Sequence, residues 1–79
     1  MRILKEIPHS HFKITLFGWN EKYILKIEAG PYEQVYKVKE SDFTSVEEVE
    51  KILNSSFLQA VEDTFRSMHK NLQSTIQSS

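Results

Sequence analysis

The sequence contains no cysteine and has only two glycines and two prolines in 79 residues. Without cysteine, neither a disulfide framework nor a thiolate metal site can support the fold, and the chain fits a reducing compartment. The two glycines, Gly18 and Gly30, are isolated, which excludes a glycine-rich loop of the kind that cradles phosphate groups. Packing of side chains, alone or together with self-association, must therefore hold this short chain in its fold.

Long apolar runs are also absent from the chain. No stretch of roughly 18 apolar residues occurs, so we expect no membrane span. The apolar run near the start is only Ile3-Leu4, far shorter than the core of a signal peptide. These features predict a cytoplasmic protein that has no membrane partner, and its length predicts a single domain.

Charge is distributed unevenly along the chain, although the net charge is only −1. Residues 1–39 carry seven Lys and Arg against four Asp and Glu, whereas residues 40–79 carry three against seven. The ordinary interpretation is that each half has a solvated face suited to its own elements. The alternative is a basic sheet face that recognises an acidic ligand.

Alternation of apolar and polar residues with a period of two predicts an antiparallel β-meander over residues 11–38. The segments 11–19 and 22–29 both alternate, and Asn20-Glu21 between them suits a two-residue turn, since Asn tolerates positive φ. Such a turn pairs Trp19 with Lys22, Phe17 with Ile24, Leu16 with Leu25, Ile14 with Ile27 and Lys13 with Glu28. In this register the apolar faces of both strands coincide, and a slip of one residue would turn one of them to the wrong side.

A third strand is predicted over residues 32–38. It follows Gly30-Pro31, a pair that marks a turn. The loop at this point is two or four residues long, and either length keeps the apolar side chains of the third strand on the face of Leu25 and Ile27.

Two helices are predicted in the second half of the chain. A capping box at Ser45 and Glu48 starts a short helix over residues 45–54. A second, weaker box at Ser56 precedes a long helix over residues 56–76. Apolar residues recur along the long helix at steps of three and four, which places them in one stripe: Leu58, Val61, Phe65, Met68, Leu72 and Ile76.

These elements predict one α+β domain over residues 1–79. It consists of a three-stranded antiparallel meander with a C-terminal helical layer, one short and one long amphipathic helix, on one face. Residues 1–10 form an extended arm or an additional N-terminal edge strand, because Pro8 disfavours helix at the residue before it. Residues 77–79 are predicted to fray, because they are polar and terminal.

Three histidines are the residues to consider for a metal or a catalytic site. His9 and His11 flank Ser10, and in a strand this spacing places both rings on one face. A zinc site usually needs three or four converging ligands, and neither His69 nor a carboxylate has a spacing that supplies the third. Nothing pairs with these imidazoles as a nucleophile for acid–base catalysis. We therefore expect surface histidines, no metal, no cofactor and no enzymatic activity, with His9 and His11 as the candidates if a metal binds.

The second face of the predicted sheet is unusually apolar. An antiparallel face without a helical layer is normally polar, and one helical layer covers only one face. On the second face the alternation gathers four apolar residues beside four lysines: Phe17, Trp19, Ile24, Val35, Lys13, Lys22, Lys26 and Lys37.

Three covers for this second face remain open. The first is internal, either the arm at residues 1–10 or the short helix with Val46 and Val49. The second is a protein partner or a second subunit of a homodimer. The third is single-stranded nucleic acid, because aromatics interleaved with lysines resemble a stacking platform, although the net charge of −1 disfavours it. We favour an incomplete internal cover that leaves the edge around Trp19 for a protein contact.

Three segments carry a likeness to a known family: EIPHSHFKITLFGWNEKYILKIE, YEQVYKV and FLQAVEDTFRSMH. Through them the chain resembles a family of short bacterial proteins that has no assigned activity, and the likeness spans almost the whole chain. Because the family brings no activity, the resemblance transfers no functional residue to this sequence.

The function hypothesis that follows is a small non-enzymatic binding or self-association module. Its predicted contact residues lie on the second face of the sheet: Phe17, Trp19, Ile24, Val35, Lys22 and Lys26. One alternative is a binder of single-stranded nucleic acid or another anionic ligand through the same aromatic and lysine-bearing face. The third hypothesis is a small metal-dependent enzyme.

Overall fold

The computed structural model describes the backbone of residues 1–78 and the side chains of residues 1–76. Four antiparallel strands form one sheet in the order β1-β2-β3-β4, and the helices follow. The elements are β1 Arg2–Ile7, β2 Lys13–Trp19, β3 Lys22–Ala29, β4 Tyr32–Lys39, a 3-10 turn Glu40–Asp42, α1 Val46–Glu50 and α2 Ser55–Ser78. The predicted α+β fold is confirmed, and the N-terminal segment forms the additional edge strand.

Both hairpin turns of the meander contain two residues. Asn20 and Glu21 both have positive φ, 52° and 61°, which is the signature of a type I′ turn. Gly30 has a φ of 60°, and the ring of Pro31 holds its φ near about −65°, as a type II′ turn requires. The second loop therefore has the shorter of its two predicted lengths.

The register between β2 and β3 is the one predicted from the apolar pattern. Leu16 pairs with Leu25, and Phe17 pairs with Ile24, so the apolar faces of the two strands coincide. β4 continues the arrangement and pairs Tyr36 with Leu25. Because turn length and alternation agree, each side chain of the meander has a defined face.

β1 pairs with β2 through an irregular register. The register shifts between Ile3 and Lys5, as at a β-bulge, so that Lys5 rather than Leu4 lies opposite Leu16. A bulge adds one residue to one strand, and two neighbouring side chains then face the same side. Leu4 packs against the core, and Lys5 forms an ion pair with Glu50 of α1 on that side.

The predicted capping box at the start of α1 forms with one change. Ser45 Oγ accepts a hydrogen bond from the Glu48 amide at 3.2 Å, which is the first half of the box. The Glu48 carboxylate accepts from the Thr44 backbone amide at 2.9 Å and from the Thr44 hydroxyl. Glu48 therefore reaches the residue before the N-cap, and these hydrogen bonds lower the pKa of the Glu48 carboxyl.

The long helix begins one residue before its predicted start. Asn54 Oδ1 accepts a hydrogen bond from the Phe57 amide at 2.9 Å, so Asn54 is the N-cap, and Ser56 lies inside the helix instead of capping it. The helix extends through Ser78, so the first two residues of the predicted frayed tail are helical. Ser79, the last residue of that tail, lies outside the described residues.

The core lies between the sheet and the two helices. Its buried apolar residues come from β2, β3, α1 and α2: Ile14, Leu16, Leu25, Ile27, Val49, Val61 and Phe65. The predicted stripe of α2 contributes Val61 and Phe65, whereas Leu72 is 44% exposed. Tyr32, the first residue of β4, contacts His69. Leu72 follows His69 by about one helical turn, so it lies past the end of the sheet and has no strand to pack against.

Gln34 is a buried polar residue that joins the sheet to the long helix. Its Nε2 donates a hydrogen bond to the Val61 carbonyl at 3.0 Å, and its Oε1 accepts one from the Tyr36 hydroxyl. Tyr36, expected from its strand position to be a core residue, is 36% exposed because it lies on the edge strand. Hydrogen bonds at both ends of Gln34 satisfy a polar group that would otherwise destabilise the core.

Candidate protein-contact face

One face of the sheet carries both helices, and the opposite face carries neither. Leu16, Leu25 and Tyr36 form one row across β2, β3 and β4 and point toward the helical side. Residues one position before or after them point to the other side, because Cβ atoms alternate along a strand. We name this other side the open face, and its residues are Ile3, Glu6, Lys13, Thr15, Phe17, Trp19, Lys22, Ile24, Lys26, Glu28, Glu33, Val35, Lys37 and Lys39.

The expected internal cover of the open face is absent from the described residues. The N-terminal segment extends the sheet as β1 and sends Leu4 and Ile7 toward the core. α1 packs on the same side as α2, where Val49 is fully buried. Neither the arm nor the short helix forms a layer over the open face, because a strand that pairs at the edge lies beside the sheet and not over it. From the arm, only Met1 and Ile3 reach this face.

Three large apolar side chains on the open face are exposed to solvent. Ile3 is 59%, Trp19 54% and Val35 47% exposed. Phe17 is half-buried and Ile24 is only 3% exposed, so the apolar patch has a packed centre and an exposed rim. From sequence, Ile3 was predicted only as part of the arm, because only its pairing with Phe17 shows which side it faces.

An open hollow of about 280 Å³ lies within the apolar patch. Four apolar residues line it together with two lysines and a glutamate: Met1, Phe17, Ile24, Val35, Lys26, Lys37 and Glu33. Met1 is a second residue whose place on this face the sequence does not predict. The recess offers a place for a protruding apolar side chain of a partner, which is how anchor residues seat in protein interfaces.

One end of the open face is rich in lysine. Next to the Asn20-Glu21 turn, Lys22 pairs directly with Lys39, and Lys37 lies one row further in, opposite Ile24. Like charges that face each other across two strands repel. Among the described residues, no carboxylate forms an ion pair with these three lysines. We name this region the lysine-rich end.

The other end of the open face carries two glutamates and their partners. Lys26 Nζ lies 3.3 Å from Glu28 Oε1 and 3.5 Å from Glu33 Oε2. The hydrogen bond with Glu28 and the charge of Glu33 raise the pKa of Lys26 above its ordinary value. Lys13 lies opposite Glu28 on the neighbouring strand. We name this region the glutamate-bearing end. Lysines occur at both ends, but the open-face carboxylates of Glu6, Glu28 and Glu33 all lie at this one, so negative charge is segregated along the strands.

His9 and His11, the candidate metal ligands, lie in the connection between β1 and β2, outside the open face. His9 Nδ1 accepts a hydrogen bond from the His11 amide at 3.1 Å, and its ring stacks on Phe12 with centroids 4.9 Å apart. Within residues 1–78, no group of three His, Cys, Asp or Glu side chains could hold a metal ion. The structure thus brings these two histidines together without a third ligand.

The fold and the exposed sheet face define a small α+β domain with one covered and one uncovered sheet face. Comparisons of the chain with protein-family models, with curated proteins and with solved structures found no match. None of the helices in the described part of the chain combines the length and the hydropathy that crossing a bilayer requires.

Proposed function

We propose that this chain is a small non-enzymatic binding or self-association module whose contact surface is the open face. The observation that carries the proposal is the exposure of Ile3, Trp19 and Val35 on a sheet face over which no helix of the described residues packs. Monomeric soluble proteins rarely expose large contiguous apolar patches, and such patches mark interaction sites. A cytoplasmic location belongs to the same proposal, since a chain without cysteine fits a reducing compartment.

Trp19 has the features of an anchor residue at a protein contact. It lies at the end of β2, and half of its surface is accessible. Tryptophan is enriched among the residues that dominate binding energy. Each 100 Å² of apolar surface removed from water contributes about 2.5 kcal/mol before the entropic cost of association is subtracted, so covering the exposed apolar rim supplies a useful part of a binding free energy.

The test is site-specific photocross-linking of the full chain in cells that produce it. Benzoylphenylalanine introduced at Val35 is expected to form adducts of discrete mass, because the partner lies against this position. The matched control carries the same photoreactive residue at Ser67, an exposed position of α2. Absence of adducts at Val35, or identical adducts at both positions, would contradict the proposal.

A second candidate function is supported by the lysine-rich end. Lys22 is paired with both Trp19 and Lys39, and lysines beside an aromatic ring suit a single-stranded nucleic acid or another anionic ligand. Trp19 is the only tryptophan, so its fluorescence reports directly on this end. Quenching by oligodeoxythymidine that weakens steeply with salt would favour this second function, and unchanged emission would argue against it.

A further inference from the structure

The open-face residues of β2, β3 and β4 form a regular array about one central row. That row consists of Leu16, Leu25 and Tyr36, which pair with one another and point to the opposite side of the sheet. The lysine-rich end lies on one side of this row, and the glutamate-bearing end lies on the other. A two-fold axis placed along the central row exchanges the two ends on all three strands at once.

This exchange brings opposite charges to matching positions. Lys22 and Glu28 belong to β3 and lie at equal distances from the central row. Lys39 and Glu33 belong to β4 and lie at equal distances from the same row. A second open face turned over about this axis would therefore present a glutamate to each of these two lysines.

We propose that a second copy of this chain occupies the open face, related to the first copy by a two-fold axis that lies across the strands along the central row. The proposal deepens the proposed function and rests on it. In such an isologous contact, Lys22 of each copy meets Glu28 of the other copy. Lys39 of each copy likewise meets Glu33 of the other copy. Lys22 and Lys39, which form no ion pair within their own chain, therefore each form one with the other copy.

The spacing of packed sheets suits these pairs. Two sheets that pack face to face lie about 10 Å apart, with strand directions within about 30° of each other. The combined length of an extended lysine and a glutamate covers that gap. Phe17 and Ile24 lie in the row beside the axis and form the centre of the contact, where they face Thr15 and Lys26 of the other copy. Trp19 of one copy lies over Lys13 of the other, a pair that suits a cation–π contact.

The area of the open face fits a reversible dimer. Four strands about 4.8 Å apart and about seven residues long form a face of about 19 by 23 Å. Two such faces bury on the order of 1,000 Å² in total, which is at the lower end for specific protein interfaces. The dimer is therefore expected to dissociate on dilution, and its measurement requires a wide range of concentration.

The other two-fold arrangement leaves the lysine-rich end without carboxylate partners. An axis parallel to the strands, between β2 and β3, would place the two lysine-rich ends over each other. Lys22 would then lie over Trp19 of the second copy, and Lys39 would lie over its β1 edge, where neither lysine meets a carboxylate. Glu28 would meet Lys13 of the second copy, so it is the lysine-rich end that is left without partners. Segregation of negative charge along the strands thus selects the axis that lies across them.

The test combines sedimentation of the full chain, from about 10 µM to about 1 mM, with charge-reversal variants. The wild type is expected to pass from monomer to dimer over this range. Lys22→Glu with Lys39→Glu places a glutamate at both members of each proposed pair, and Glu28→Lys with Glu33→Lys places a lysine at both members. Each double variant should weaken self-association about tenfold or more, whereas an equal mixture of the two should form a heterodimer, because glutamates then meet lysines.

A control variant and a second readout keep the test specific. Lys51→Glu with Lys70→Glu makes the same change of net charge at exposed positions outside the sheet, and it should dimerise like the wild type. Trp19 emission should shift to shorter wavelength as the dimer forms, because the second copy covers the indole. Circular dichroism of each variant shows that it is folded before its association is compared.

The outcomes separate this inference from the proposed function. A wild type that stays monomeric throughout overturns the second copy as occupant. If the adducts at Val35 then contain a different protein, the proposed function stands, and if no adducts form, both fall. A dimer that ignores the charge reversals, or variants that fail to pair when mixed, overturns the two-fold arrangement. A monomer whose Trp19 emission responds only to an oligonucleotide overturns it in favour of the second candidate function.

Discussion

Glu21→Gly is expected to stabilise the domain, because Glu21 has a φ of 61° in the turn between β2 and β3. A residue with a Cβ in the left-handed region is disfavoured by about 1–2 kcal/mol, and glutamate lacks the tolerance for this region that asparagine has at the preceding position. The Glu21 carbonyl accepts a hydrogen bond from the Glu40 amide at 3.0 Å, and this backbone contact is available to glycine as well.

The net effect is the difference between two opposing contributions. Relief of the unfavourable φ contributes about 1–2 kcal/mol, and the greater freedom of glycine in the unfolded chain costs about 0.4–1 kcal/mol. We therefore expect the free energy of unfolding to rise by about 0.5–1 kcal/mol. For a domain of this size that corresponds to an increase in melting temperature of roughly 3–6 °C.

The assay is thermal and urea unfolding followed by circular dichroism, at a protein concentration low enough to hold the chain monomeric. Glu21→Ala is the matched control, since it removes the carboxylate and keeps the Cβ, and it should not stabilise the domain. Destabilisation by Glu21→Gly would refute the reasoning. Equal stabilisation by both variants would show that relief of repulsion between the Glu21 and Glu40 carboxylates, and not the backbone, is the cause.

Three further predictions test the core, the helix cap and the histidines. Leu25→Ala should lower the free energy of unfolding by about 2–5 kcal/mol, because Leu25 is a buried core residue, and an unchanged urea midpoint would contradict the packing of the sheet on α2. The pKa of Glu48 is lowered by its hydrogen bonds from Thr44, so its contribution to stability is present above the ordinary Glu pKa and is lost as pH falls through the lowered value. Glu48→Gln should therefore destabilise the domain at neutral pH and should match the wild type in acid, as melting curves at several pH values would reveal. Zn²⁺ should bind no more tightly than to an exposed histidine peptide, and calorimetry showing a stoichiometric sub-micromolar site that His9→Ala or His11→Ala abolishes would overturn that expectation.

The meander was predictable because its signals are local. Alternation in two neighbouring strands and a two-residue turn between them leave one register in which Leu16 meets Leu25 and Phe17 meets Ile24, and that register is observed. The capping oxygen of Ser45 was predictable for the same reason, since it contacts an amide only three residues away. Each of these features depends on a few neighbouring residues and on their intrinsic conformational preferences.

The position of the N-terminal segment depended on the whole fold. A proline and three apolar residues are compatible with a strap across the sheet and with an edge strand, and nothing in the local sequence distinguishes them. Pairing with β2 satisfies the backbone groups of an edge that would otherwise remain open, and the shift between Ile3 and Lys5 turns Leu4 toward the core. For this reason the segment forms no layer over the second face.

By itself the sequence determined the class of the fold, the register of the central strands, and which residues of the three meander strands share each face. The sequence also predicted both helices on one face, but it left open whether the short helix covers the other. Only the tertiary structure decided that Val49 enters the core and that Ile3, Trp19 and Val35 remain exposed on the opposite side. The physical reason is that alternation sorts side chains between two faces but does not say which face a later helix covers. That choice depends on contacts between residues far apart in the chain, and here it leaves uncovered the face that we propose as the contact surface.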